Sequence, residues 1–122
     1  NGYSEAARLT LLREVHSSVI AISSITSGEL RFGIKKRNSK RLRRAFDEFR
    51  AVAMIVPWDD DAAMAYADLR AQLHRRGKAL ESLDMLIAAH AVAVGAVLVS
   101  RDRAFEHIRD FVEVENWATD LK

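Results

Sequence analysis

The sequence predicts a three-layer α/β/α fold with a mostly parallel sheet. Three observations point there. Short β-branched runs such as "VIAIS" (19–23) alternate with longer stretches in which apolar residues recur at helical spacing. Strands separated by helices imply right-handed crossovers and parallel neighbours. Apolar residues make up 49% of the 122 positions, enough for one substantial core, and no repeat, low-complexity tract or linker divides the chain.

Each element follows from local signals. Ser4 can cap a helix running to about His16, with Ala6, Leu9, Leu12 and Val15 at helical spacing. Residues 19–23 read as a strand. A helix over 24–36 follows, with Ile25, Leu30 and Phe32 as packing candidates and Gly28 and Gly33 weakening it. Asn38 or Ser39 caps a helix over 40–52, whose stripe is Leu42, Ala45, Phe46 and Phe49. Residues 54–56 form a second strand, stopped by Pro57, the single proline. Asp59 caps a long helix to about Arg76, ended by Gly77. Ser82 is the next N-cap: Leu83, Leu86, Ile87, His90 and Val94 carry a helix to Gly95. A buried strand covers 96–99, a short helix starts near Arg103, and a last strand covers 111–114.

Composition narrows the function. There is no cysteine, which removes disulfides and thiolate metal sites. No run approaches the ~20 apolar residues of a membrane span, and no signal peptide is visible, so the cytoplasm is the expected address. The net charge is only +2, but residues 35–44, "KKRNSKRLRR", hold seven basic side chains and no acid. Such a block is a solvated helix face or an anion-binding surface. No aromatic residue interleaves it, so base stacking is not indicated there.

The chemistry gathers around the stretch "ESLDMLIAAHAVAVGAVLVSRDRAF" (81–105). Ligands of open α/β sheets sit beyond the carboxyl ends of the strands. Asp102 lies just past the strand 96–99, and Asp84 lies in the first turn of the helix leading into it. A helix antiparallel to its strand brings both aspartates to one edge. Ala88, Ala91 and Gly95 share a face with Asp84, so another element can approach closely. Glu29, in the helix after strand 19–23, is the third acid expected at that edge. Three carboxylates together repel unless a hard cation lies between them. Mg²⁺ suits such oxygens and leaves positions open for a phosphate, a water nucleophile and a leaving oxygen. Each acid also has an ordinary role: Asp84 as a helix-dipole complement, Asp102 as an N-cap, Glu29 as a surface acid. His90 reads as a packed, hydrogen-bonded histidine, and Trp58 and Trp117 as packing residues. No histidine pair has zinc spacing, and there is no nucleophile elbow and no phosphate-binding glycine loop.

Three segments, "AISSITSGELRFG" (21–33), "LDMLIAAHAVAVGAVLVSRDRAF" (83–105) and "VEVENW" (112–117), together resemble the PIN-domain toxins of bacterial toxin–antitoxin pairs, the VapC type. The resemblance covers almost the whole chain, in order. It implies a single PIN-like α/β domain over 1–122 and a metal-dependent endoribonuclease using Mg²⁺ or Mn²⁺. It also implies a homodimer and a cognate antitoxin that blocks the site. The family's glutamate falls on Glu29, its aspartate before "LIAAHA" on Asp84, and its acid after the penultimate strand on Asp102. Ser100 matches a small hydroxyl residue that contacts water or phosphate. Lys35, Lys36, Arg37 and Arg41 of the basic block would guide RNA. One departure stands out: the family's first strand, ending in "LDTN" with a further metal-binding aspartate, is missing from these residues and is expected upstream. The alternative is a catalytically degenerate PIN-like module binding RNA or a protein partner.

Overall fold

A computed structural model describes residues 10–13, 20–100 and 102–116. Two apolar cores, on opposite faces of one sheet, organise it. The strands are β1 (Leu11–Arg13), β2 (Ile20–Ser23), β3 (Met54–Val56), β4 (Val97–Val99) and β5 (Val114–Glu115), in the order β3-β2-β1-β4-β5. The helices are α1 (Ser24–Arg37), α2 (Lys40–Val52), α3 (Asp60–Arg75) and α4 (Ser82–Val94), followed by a 3₁₀ turn at Arg103–Ile108. β3 runs parallel to β2, and β5 parallel to β4. β1 is antiparallel to both β2 and β4, so these two point the same way and the described sheet is mostly parallel.

The alternation of side chains along β1 builds both layers. Leu12 joins α3, α4 and the 3₁₀ turn through Leu69, Leu73, Met85, Leu98 and Phe105. Leu11, its neighbour, packs on the other face with Ile22, Ile34 and Phe46, beneath α1 and α2. The sheet is therefore covered on both sides, as the sequence predicts.

The expected helix over 4–16 is corrected at its described part: Leu11–Arg13 is the central strand, and the rest of that expectation lies outside the described residues. The physical reason is non-local. β2 and β4 each present unpaired backbone groups to the gap between them, and a segment that fills it satisfies two ladders at once. Only six residues separate Arg13 from Ile20. A parallel crossover needs about a dozen, so β1 must pair antiparallel to β2. Arg13 secures the arrangement with a two-pronged contact to Glu115: Nε donates to Oε1 at 3.2 Å and Nη2 to Oε2 at 2.8 Å. That carboxylate raises the Arg13 pKa above its ordinary value.

Elsewhere the caps decide the boundaries. Ser39 Oγ accepts the Leu42 N–H, and Asp59 Oδ1 the Ala62 N–H. Gly77 and Gly95 take positive φ, 68° and 66°, where α3 and α4 end. α4 starts at Ser82 itself: Glu81 is its N-cap and makes no side-chain cap bond. The last strand begins at Val114, three residues later than the sequence predicts. Phe32 is 61% exposed and leaves the expected packing set, while Leu83 and Val94 at the ends of α4 also face solvent. No helix among the described residues is long and apolar enough to cross a membrane.

Candidate functional site

The carboxyl ends of β2, β3, β4 and β5 share one edge, and the amino end of β1 arrives there too, because Leu11 pairs with Val99. α4 turns at Gly95 into β4 and runs back along it, so its first turn returns to the same edge. Asp102 lies just past the carboxyl end of β4, and Asp84 lies in the first turn of α4. Both are half-buried.

Asp102 is held from two directions. Its backbone N–H donates to Ser100 Oγ at 3.0 Å, and its Oδ1 accepts the Ala104 N–H at 2.9 Å, capping the 3₁₀ turn. Its Oδ2 makes no hydrogen bond among the described residues. Ser100 is buried, and its hydroxyl also meets the buried Thr10 hydroxyl at 3.3 Å. The group matched to a substrate contact is thus buried and accepts the Asp102 backbone N–H and the Thr10 hydroxyl.

Glu29 is exposed. The buried face of α1 is Thr26, Ser27, Gly33 and Ile34, a stripe at helical spacing. Glu29 sits to one side of that stripe, between the partly buried Ile25 and the exposed Phe32. Among the described residues no group of three His, Cys, Asp or Glu side chains is close enough to hold a metal ion. The donor chemistry of Asp84 and Asp102 suits Mg²⁺ or Mn²⁺, but the described residues do not assemble a three-carboxylate site for one.

Beside this rim, Ser23 and His90 meet in the interior. Ser23 ends β2 and caps α1, its Oγ accepting the Ile25 N–H at 3.1 Å. The same Oγ lies 2.7 Å from His90 Nδ1 in the middle of α4. Both residues are wholly buried, so His90 is the packed, hydrogen-bonded residue its sequence position predicts. Burial pushes the His90 pKa below the usual imidazole range; the Asp59 charge and the Pro57 carbonyl pull the other way without winning. The unfolded chain therefore binds this proton more readily than the folded one. The resulting stability is fully present above pH ~6.5 and is lost as pH falls toward the depressed native value. Urea titrations from neutral pH to about pH 5 should show this slope, at most ~1.4 kcal/mol per pH unit, and His90→Asn should flatten it.

Trp58 fixes the loop after β3. Its N–H donates to Ser24 Oγ at 3.0 Å and its indole Nε1 to the Leu86 carbonyl at 2.9 Å, two residues beyond Asp84. It is a packing residue, as expected; Trp117 lies outside the described residues. Sequence reasoning missed Thr10, Ser23 and Trp58 as partners of the rim. Ser23 was the findable one, a serine at the junction of a β-branched run and a helix.

The basic block is a corner between two helices. Lys35, Lys36 and Arg37 form the last turn of α1, where the helix dipole favours cations. Asn38, at φ 49°, turns the chain, and Lys40 and Arg41 open α2 in a first turn with no acid. Cations at a helix N-terminus oppose the dipole, so this half of the block is electrostatically uphill without an anionic partner. Lys35, Lys36 and Arg41 are exposed and Arg37 is half-buried.

Comparison with known proteins agrees with this architecture. Residues 3–110 match the model of the PIN domain. The chain is 33% identical over 103 residues to Ribonuclease VapC2 of Rickettsia felis, covering 83% of this chain and 76% of that protein. It is 33% identical over 105 residues to the tRNA(fMet)-specific endonuclease VapC of Salmonella typhimurium, covering 84% and 79%. Among solved structures, DNA-bound VapBC from Salmonella typhimurium superimposes with a TM-score of 0.72 at 34% identity, covering 80% of this chain and 74% of that one.

Proposed function

This chain belongs to the PIN-domain family, in its VapC type, and on that premise we propose that it is the ribonuclease toxin of a toxin–antitoxin pair. The observation that carries the reading is the order α4, Gly95, β4, with Asp84 in the first turn of the helix and Asp102 just past the strand it leads into. Ribonuclease and endonuclease names among the relatives support it, as does the VapBC complex among the similar structures. The reading includes a cytoplasmic address, a homodimer and a cognate antitoxin.

In this reading Asp84 and Asp102 would hold Mg²⁺ or Mn²⁺, with Glu29, which joins no three-carboxylate cluster among the described residues, as the further candidate ligand. Such an ion, when bound, supplies Lewis acidity toward an RNA phosphodiester. The chain's own contribution is positional. Ser100 holds the Asp102 backbone and the Ala104 N–H holds its Oδ1, while α4 carries Asp84 in its first turn. Lys35, Lys36, Arg37 and Arg41 attract the RNA backbone to the corner between α1 and α2.

Replacing Lys35, Lys36, Arg37 and Arg41 by Gln is expected to weaken RNA binding without sequence preference. The slope of log affinity against log salt should flatten by up to about 3, at ~0.7 per phosphate contact on a single strand. Filter binding over a salt series measures it.

The test of the whole reading is cleavage of RNA by the full chain with Mg²⁺ or Mn²⁺, its loss on chelation and its recovery on re-addition. One observation favours a second reading, the degenerate binding module: no three carboxylates gather among the described residues. RNA retention in filter binding without cleavage under any divalent ion would select it.

A further inference from the structure

The mechanism above uses neither Ser23 nor His90, yet they form a buried polar bridge between the two helices that carry Glu29 and Asp84. Ser23 Oγ already accepts the Ile25 N–H, so its one proton is free to point at His90 Nδ1, 2.7 Å away. That leaves the ring proton on Nε2. Nε2 is buried and makes no well-formed hydrogen bond among the described residues, although the Pro57 carbonyl lies near enough to favour a protonated ring. The ring is thus engaged chiefly on the side facing α1.

The lever arms are equal. Glu29 lies six residues along α1 from Ser23, and Asp84 lies six residues back along α4 from His90. At 1.5 Å per residue each acid stands about 9 Å from the bridge. Both arms are helical, so a small change at the bridge becomes a displacement of the acids rather than a local relaxation. A misplacement of about 1 Å at a reacting centre costs on the order of 100-fold in rate.

We propose that the Ser23–His90 hydrogen bond is a positioning device: it clamps the first turn of α1 to the middle of α4 and so sets the separation of Glu29 from Asp84. Its catalytic consequence rests on the ribonuclease reading; the clamp itself does not.

The experiment uses the full chain. On the unaltered protein, ¹⁵N NMR of His90 should show the tautomer protonated at Nε2; protonation at Nδ1 would overturn the assignment. His90→Leu keeps the apolar volume but removes the bond, and is expected to speed amide exchange at residues 25–28 about 10-fold while amides 62–73 of α3 stay unchanged. His90→Asn, whose Oδ1 can stand near the place of Nδ1, and Ser23→Thr should keep parent-like protection. RNA cleavage by His90→Leu should lose 10- to 100-fold in kcat with KM within about 2-fold, and His90→Asn should restore most of it. Parent-like exchange at 25–28 in His90→Leu, or equal acceleration throughout α3, overturns the clamp. Should His90→Leu not fold, His90→Met, which also lacks a hydrogen-bonding nitrogen and leaves the Ser23 cap in place, carries the same comparison against His90→Asn. Local acceleration with RNA cleavage indifferent to Asp84→Asn would uphold the clamp and bring down the ribonuclease reading instead.

Discussion

Asp84→Asn is expected to lower RNA cleavage by at least about 100-fold and to leave the fold intact, because the two effects draw on different properties of the same carboxylate. The substitution keeps shape and removes charge. Structurally, Asp84 sits in the first turn of α4, where a negative charge is worth ~0.3–1 kcal/mol against the helix dipole. The expected shift in melting temperature is therefore no more than a few degrees for a domain of this size. Catalytically, charge is the whole contribution. In the ribonuclease reading that charge would help to hold the cation facing the developing phosphodiester charge, and losing one such electrostatic contribution typically costs ~10²–10³ in rate. Single-turnover cleavage of a labelled RNA, beside a thermal melt of the same preparation, separates the two. An Asn variant that folds and cuts like the parent removes Asp84 from the site.

Phe105→Ala carries the largest expected loss of stability, about 3–5 kcal/mol. Phe105 is among the largest wholly buried side chains and lies in the 3₁₀ turn that Asp102 caps, packed into the core with Leu98 and Ile108. Truncation empties a volume that β4 and α4 cannot close without moving the sheet. Set against the 5–15 kcal/mol that holds an ordinary domain together, the loss is a large fraction of the total. Urea denaturation should show a lower midpoint at an unchanged slope, since the surface exposed on unfolding is nearly the same. A loss below about 1 kcal/mol would mean that the turn is not packed as described. Cleavage should fall as well, at temperatures where the variant remains folded, because the backbone bearing Asp102 is anchored by this ring.

The elements most legible in the sequence were those with strong local punctuation. The helix over 40–52 and the strand over 54–56 were read to the residue, because Ser39 caps the one and Pro57 follows the other. Gly77 and Gly95 announced the ends of α3 and α4, since a positive φ is costly for other residues. The placement of Asp84 in the first turn of α4 and of Asp102 just past β4 followed from the order helix, glycine, strand. Phe32 misled because a helical apolar residue need not face the core: the buried stripe of α1 runs through small residues, Thr26, Ser27 and Gly33, which hydrophobicity alone does not single out. That shift of face carried Glu29 outward with it.

By itself the sequence determined the kinds and the order of the elements from residue 20 onward, because capping, turn and periodicity energies are settled within a few neighbouring residues. Only the tertiary structure decided which segment occupies the middle of the sheet and in which direction it runs. Residues 11–13 lie in a stretch of helical spacing, yet two open ladders and a short connection outweigh that local preference. How three acids stand relative to one another is likewise a property of helices leaning on a shared core, a non-local balance that a single chain of letters does not expose.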